Sequence, residues 1–104
     1  WWLLPPLPDA WSRCAEIIAQ HDEYCRGILV AVEPGEAPLL RLAAASAAVR
    51  GFASGRTILA GTAARWRTGE VSDAAVVADI AAQFGTLAAE WSAGRDAAAG
   101  PKGA

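Results

Sequence analysis

Between Ala37 and Thr68 the chain carries five arginines (Arg41, Arg50, Arg56, Arg65, Arg67) and no acidic residue, and most other positions there are Ala, Gly, Ser or Thr. Both flanks are acidic: residues 1–36 hold six acids against two arginines, and residues 69–96 hold five acids against one. Small side chains let backbones come close. A basic, small-residue segment between two acidic, bulkier ones therefore predicts a slender central helix against which its neighbours pack.

A chain of 104 residues supports one domain with a modest core. Of its hydrophobic residues 26 are Ala, so the five Trp, two Phe, one Tyr and the scattered Leu, Ile and Val must supply most of the buried area. Fully burying one large side chain contributes about 1.5–3 kcal/mol. One Lys against eight Arg, with no Asn, points by association to a GC-rich bacterial source. The chain contains no Met, not even an initiator, which we take to mean processing, truncation or renumbering. No signal-peptide pattern stands at its start, and no uncharged run reaches the roughly 18 residues of a spanning helix. A cytoplasmic protein is expected. The net charge of −2 disfavours a strong nonspecific polyanion binder but leaves room for a local basic face.

Residues 1–8 (WWLLPPLP) read as an apolar, proline-rich arm, because three prolines favour an extended path. Trp1, Trp2, Leu3, Leu4 and Leu7, with Trp11 just beyond, form the expected partner-binding set, lying either along the chain's own helices or in a partner's groove. Asp9 is the expected N-cap of a first helix reaching about Val32. Its large residues, Trp11, Cys14, Ile18, His21, Cys25, Ile28 and Val32, alternate three and four apart, the seam of helix-on-helix packing. A short strand over Gly27–Val32 is the alternative. Glu33-Pro34-Gly35 reads as a turn, and Pro38 suits the first turn of the next helix. Gly51 and Gly55 predict a kink or break that divides the middle segment into two helices. Ser72 is the expected N-cap of the last helix, whose seam is Val77, Ile80, Phe84, Leu87 and Trp91. Gly94 is expected to stop it, leaving residues 95–104 as a disordered tail.

Three constellations bear on function. Cys14, His21 and Cys25 share the first-helix seam. Eleven residues of helix separate the two cysteines by roughly 16 Å, too far for a disulfide. As metal ligands they are a weak set, lacking a tetrahedral cage and paired Cys spacing; no metal or cofactor is expected. Residues 79–91 (DIAAQFGTLAAEW) resemble the helix-turn-helix pattern, with Gly85 at the turn. The later half departs from that pattern: Thr86 stands where an aliphatic residue is usual. The would-be recognition helix offers Glu90 and Ser92, with Arg95 as the nearest base reader. Arg65 and Arg67 complete the possible DNA-binding set. Lastly, on one continuous helix the five arginines do not form a single stripe, so pairing with the acidic flanks is their ordinary use. No phosphate-binding loop, nucleophile elbow or repeated metal-ligand motif occurs.

The expectation is therefore an all-α protein: a small antiparallel bundle of three or four helices over residues 9–94, with the extended arm at 1–8. Functionally it reads as a non-catalytic assembly or interaction protein that docks on a protein partner or on itself, forming a homo-oligomer through apolar seams and the arm. The alternative is a small DNA-binding regulator or antitoxin using residues 79–95.

Overall fold

The structure, a computed structural model, describes residues 1–100. It corrects the all-α expectation. Three strands, β1 (Trp2–Leu4), β2 (Ile28–Ala31) and β3 (Val49–Ala53), form a sheet in the order β1-β2-β3, and both pairings are parallel. Four helices complete the mixed α/β fold: α1 (Trp11–His21), α2 (Ala37–Ala45), α3 (Arg56–Arg67) and α4 (Asp73–Ala99). The first two are crossovers between successive strands, as parallel pairing requires.

The physical reason for the correction lies in three short apolar runs. The arm is held as an edge strand by the register Trp2–Ile28, Leu3–Leu29 and Leu4–Val30. The first helix ends at His21, and the GILVAV run becomes β2, which favours β-branched residues on a surface buried by neighbours. The expected seam thus holds only for Trp11, Cys14 and Ile18. Phe52, flanked by the two glycines read as a helix break, lies in β3, so the middle segment is helix, strand, helix rather than one divided rod.

Other local expectations hold or shift by a turn. Asp9 makes no cap bond and sits in a 3₁₀ turn, Pro8–Ala10, ahead of α1. Pro38 lies in the first turn of α2. The Ser72 hydroxyl accepts the Ala75 amide proton at 3.1 Å and caps α4. That helix passes through Gly85 and Gly94 without a break and reaches Ala99. The expected tail at 95–104 is therefore helical through Ala99, and residues 101–104 lie outside the described residues.

The core occupies one side of the sheet. Val30, Val32 and Val49 meet Trp11 of α1, Leu40 and Ala43 of α2, Ile58 of α3 and Leu87 of α4. Ala43 and Ala44 are fully buried, and Gly94 on α4 lies against Ala44. A Cβ at Gly94 would stand 2.7 Å from the Ala44 Cβ and 3.1 Å from the Arg41 backbone. Gly94 thus sets how closely α2 and α4 approach, which is why it is retained inside a helix despite its propensity cost of about 1 kcal/mol.

The molecule is open in shape. Its radius of gyration is 16.4 Å, against about 13 Å for a compact domain of this length.

Candidate functional site: the uncovered side of the sheet

Alternation along β2 puts Ile28 and Val30 toward the helices and Leu29 and Ala31 on the opposite side. The register extends that opposite side across the sheet. Leu3 aligns with Leu29, Leu29 with Gly51, and Ala31 with Ala53. An irregularity between Ile28 and Leu29 sets Arg50 apart from the ladder and lets Val49 and Phe52 both face the helices. The Leu29 side chain lies over Gly51, where a Cβ would meet Leu29 Cδ2 at 3.1 Å. None of these five residues belongs to the buried core; Leu3 is 58% exposed, and Leu29, Ala31, Gly51 and Ala53 are partly buried. The result is a shallow apolar floor of Leu3, Leu29, Ala31, Gly51 and Ala53. The outer edges of β1 and β3 pair with no strand among the described residues.

Beside the β3 edge lies a second apolar patch. Phe52 stacks on Phe84 with centroids 5.5 Å apart and tilts against Trp91 at 5.8 Å. Phe84 remains 44% exposed. The Arg95 guanidinium lies 4.8 Å from the Trp91 ring and donates to the Val49 carbonyl at 2.6 Å, tying α4 to the start of β3.

The expected partner-binding residues separate into two groups. Trp11 is 2% exposed, and its Nε1 donates to the Pro5 carbonyl at 3.2 Å, so it is a core residue. Leu4 packs against the core. Trp1, Leu3 and Leu7 are exposed. Trp2, half exposed, donates from Nε1 to Asp22 at 2.9 Å and anchors β1 to the loop after α1. That bond, with a second from the Tyr24 amide, holds the Asp22 carboxyl below its ordinary range.

The expected DNA-binding residues are not brought into one reading surface. Residues 79–95 are one unbroken helix, so no turn sets a recognition helix apart. Glu90 accepts from Arg41 at 2.6 Å, which raises the Arg41 pKa, and Arg95 is engaged with Val49 and Trp91. Ser92 is exposed on α4, while Arg65 and Arg67 are exposed in the last turn of α3. The thiol and imidazole set also separates. Cys14 and His21 are on α1, and Cys25 lies in the following loop, where its thiol contacts the Gly27 carbonyl at 3.5 Å. Among the described residues no group of three or more His, Cys, Asp or Glu is placed to hold a metal ion.

The expected pairing of the central arginines with the acidic flanks is realised at Arg41–Glu90. Two acids of α4 that face α3 are engaged by neutral donors: Asp79 accepts from Thr62 and from Gln83, and Asp73 from Trp66 at 2.6 Å. Sequence reasoning missed Leu29, Ala31 and Ala53 as surface residues. The available signal was the strand alternative for Gly27–Val32, since a strand must expose alternate residues to opposite sides.

The chain belongs to the family described as "Uncharacterized protein conserved in bacteria (DUF2090)", whose model matches residues 1–95. No curated protein and no solved structure matches the chain. Among the described residues no helix is long and apolar enough to cross a membrane.

Proposed function

We propose that this chain is a non-catalytic association module that docks through the uncovered side and free edges of its parallel sheet. One observation carries this function: Leu3, Leu29, Ala31, Gly51 and Ala53 line the side of an all-parallel sheet on which no core residue lies. Parallel sheets are ordinarily covered on both faces, because crossover helices or a closed barrel leave neither face in water. An edge strand as apolar as Trp2–Leu4 is also an invitation to pair with another strand. The open shape and the half-exposed Phe84 beside the β3 edge support the same role. The unbridged thiols of Cys14 and Cys25 accord with a reducing cytoplasm.

Sedimentation velocity of the chain and its Leu29→Glu variant tests the function. The unmodified chain is expected to form a species larger than the monomer. The variant is expected to be monomeric with an unchanged far-ultraviolet circular dichroism spectrum, since its new carboxylate points away from the core. A chain that stays monomeric at every concentration, and binds no hydrophobic dye, would overturn the proposal.

A further inference from the structure

The loop that joins α1 to β2 borders, with α1 itself, a cleft of about 280 Å³ at the amino end of the sheet. Ala15, Ile18 and Ala19 of α1, Ile28 of β2 and Ala48 just before β3 give it an apolar floor. Ile28 faces the helices, so the cleft lies apart from the surface proposed for docking and does not depend on it. Small-molecule pockets run from about 300 to 1,000 Å³, so a cleft of this size suits a metabolite of few heavy atoms rather than a nucleotide.

Its loop is tied at both ends. Asp22 accepts from Trp2 Nε1 at 2.9 Å and from the Tyr24 amide at 3.0 Å, and the Gly27 carbonyl accepts from the Trp2 amide at 3.1 Å. Gly27 itself runs beneath the Arg50 stem and the Trp1 ring, where a Cβ would stand 3.1 Å from Trp1 Cζ3. Walls fixed in advance reduce the ordering cost of binding.

The polar groups around the floor carry both signs. Asp22 and Glu23 stand at the carboxyl end of α1, where the last carbonyls of a helix carry partial negative charge. The bonds from Trp2 and Tyr24 hold the Asp22 carboxyl below its ordinary range, so it is ionised at neutral pH. Arg26 lines the same cleft from the later part of the loop. Glu23 and Arg26 are exposed, and the ion pairs among the described residues are Arg13–Glu16 and Arg41–Glu90. Unlike charges therefore border one cleft without closing on each other.

We propose that this cleft binds a small zwitterion, an α-amino acid with a short apolar side chain. The ammonium group lies by Glu23, Asp22 and the end of α1. The carboxylate meets the Arg26 guanidinium, whose planar fork suits two parallel hydrogen bonds. The side chain rests on Ile18, Ile28 and Ala48. A ligand with one of the two charges leaves the opposite end of the cleft unmatched.

Titrating the full chain with L-valine and L-leucine, followed by amide NMR spectra, tests the site. Saturable shifts are expected together at Ala19, Cys25, Ile28 and Ala48. Valinamide, which lacks the carboxylate, and isovalerate, which lacks the ammonium group, should each bind about tenfold more weakly than L-valine. Arg26→Gln should weaken L-valine by a similar factor and leave valinamide unaffected, whereas Glu23→Gln should weaken both. Both side chains are exposed, so neither change should disturb the fold. Bound amino acid should also slow alkylation of Cys25, which lines the cleft, and leave that of Cys14, which does not, unchanged. Absence of saturable shifts at millimolar amino acid would overturn the proposal. Equal affinity for the amino acid and its two single-charge analogues would overturn it too, as would affinity for L-valine unchanged in both variants.

Discussion

On one side of the sheet, Val30, Val32 and Val49 are closed off by residues from all four helices. On the other, Leu29 and Ala31, neighbours of those valines along the same strand, meet no element of the core. The same backbone therefore carries two surfaces of different physical standing. The covered side holds the fold together, and the other side is the surface we propose for docking. The contrast is measurable residue by residue, because adjacent positions on β2 belong to opposite regimes.

The largest expected difference is between Leu40 and Leu29. Leu40 is fully buried at the centre of the core, so Leu40→Ala should cost about 3 kcal/mol through lost transfer energy and the cavity left behind. Leu29→Ala, measured under dilute conditions where the chain is monomeric, should cost less than about 1 kcal/mol, as for other substitutions away from packed sites. Denaturant titration of both variants makes the comparison directly. Equal losses would mean that the two sides are equally covered, which would break the distinction.

The next difference concerns two glycines inside helices. Gly94 touches α2, whereas a Cβ at Gly61 on α3 would meet nothing within 4 Å among the described residues. Gly94→Ala should destabilise by about 1–3 kcal/mol because the α2–α4 contact must open. Gly61→Ala should stabilise by up to about 1 kcal/mol through helix propensity alone. Opposite shifts in melting temperature would separate packing from propensity within one molecule. Shifts of the same sign would remove Gly94 as the residue that sets the α2–α4 spacing.

These contacts also mark what was legible in the sequence. Helix signals that depend on neighbours three or four residues apart came through: the Trp11, Cys14, Ile18 seam, the proline of α2, the Ser72 cap, and the Leu87 position of α4. The role of small residues in close approach was also visible, although its site is Gly94 against Ala44 rather than a middle rod. Two of the strands did not come through, and β2 came through only as the alternative over Gly27–Val32, for two reasons. Runs of three to five residues are too short for periodicity to separate strand from buried helix. Parallel pairing joins residues far apart in the chain, as in Leu3 with Leu29, so no local pattern records it. The uncovered surface was hidden for the same reason, since it exists only once the three strands are side by side.

A smaller effect is expected at Ser54, where β3 leads into α3. Its hydroxyl oxygen is buried and has no hydrogen-bond partner among the described residues. Ser54→Ala removes an unmet polar group rather than a bond, so it should be neutral or stabilise by up to about 1 kcal/mol. A loss of more than about 1 kcal/mol on thermal denaturation would show that the hydroxyl has a partner that stabilises the folded chain.

The smallest effect, and the one confined to the edge of the open sheet, is a pH response at Asp22. Trp2 Nε1 and the Tyr24 amide both donate to this carboxylate, the larger contribution coming from Trp2, and together they lower its pKa from the ordinary value of 3.8. A group whose pKa is depressed by folding stabilises the folded state at pH values above its unfolded pKa. That contribution is present at neutral pH, begins to fade as the pH approaches 3.8, and is lost as the pH falls through the lower folded value. Because Trp2 belongs to β1, protonation should release the edge strand before it disturbs the core on the covered side. Amide exchange in β1 should therefore quicken between pH 5 and pH 3, relative to β2, once the intrinsic pH dependence of exchange is removed. Asp22→Asn should flatten that difference. If β1 and β2 respond alike in both proteins, the strand is held by its ladder to β2 alone, and the Trp2–Asp22 bond adds nothing to the edge of the sheet.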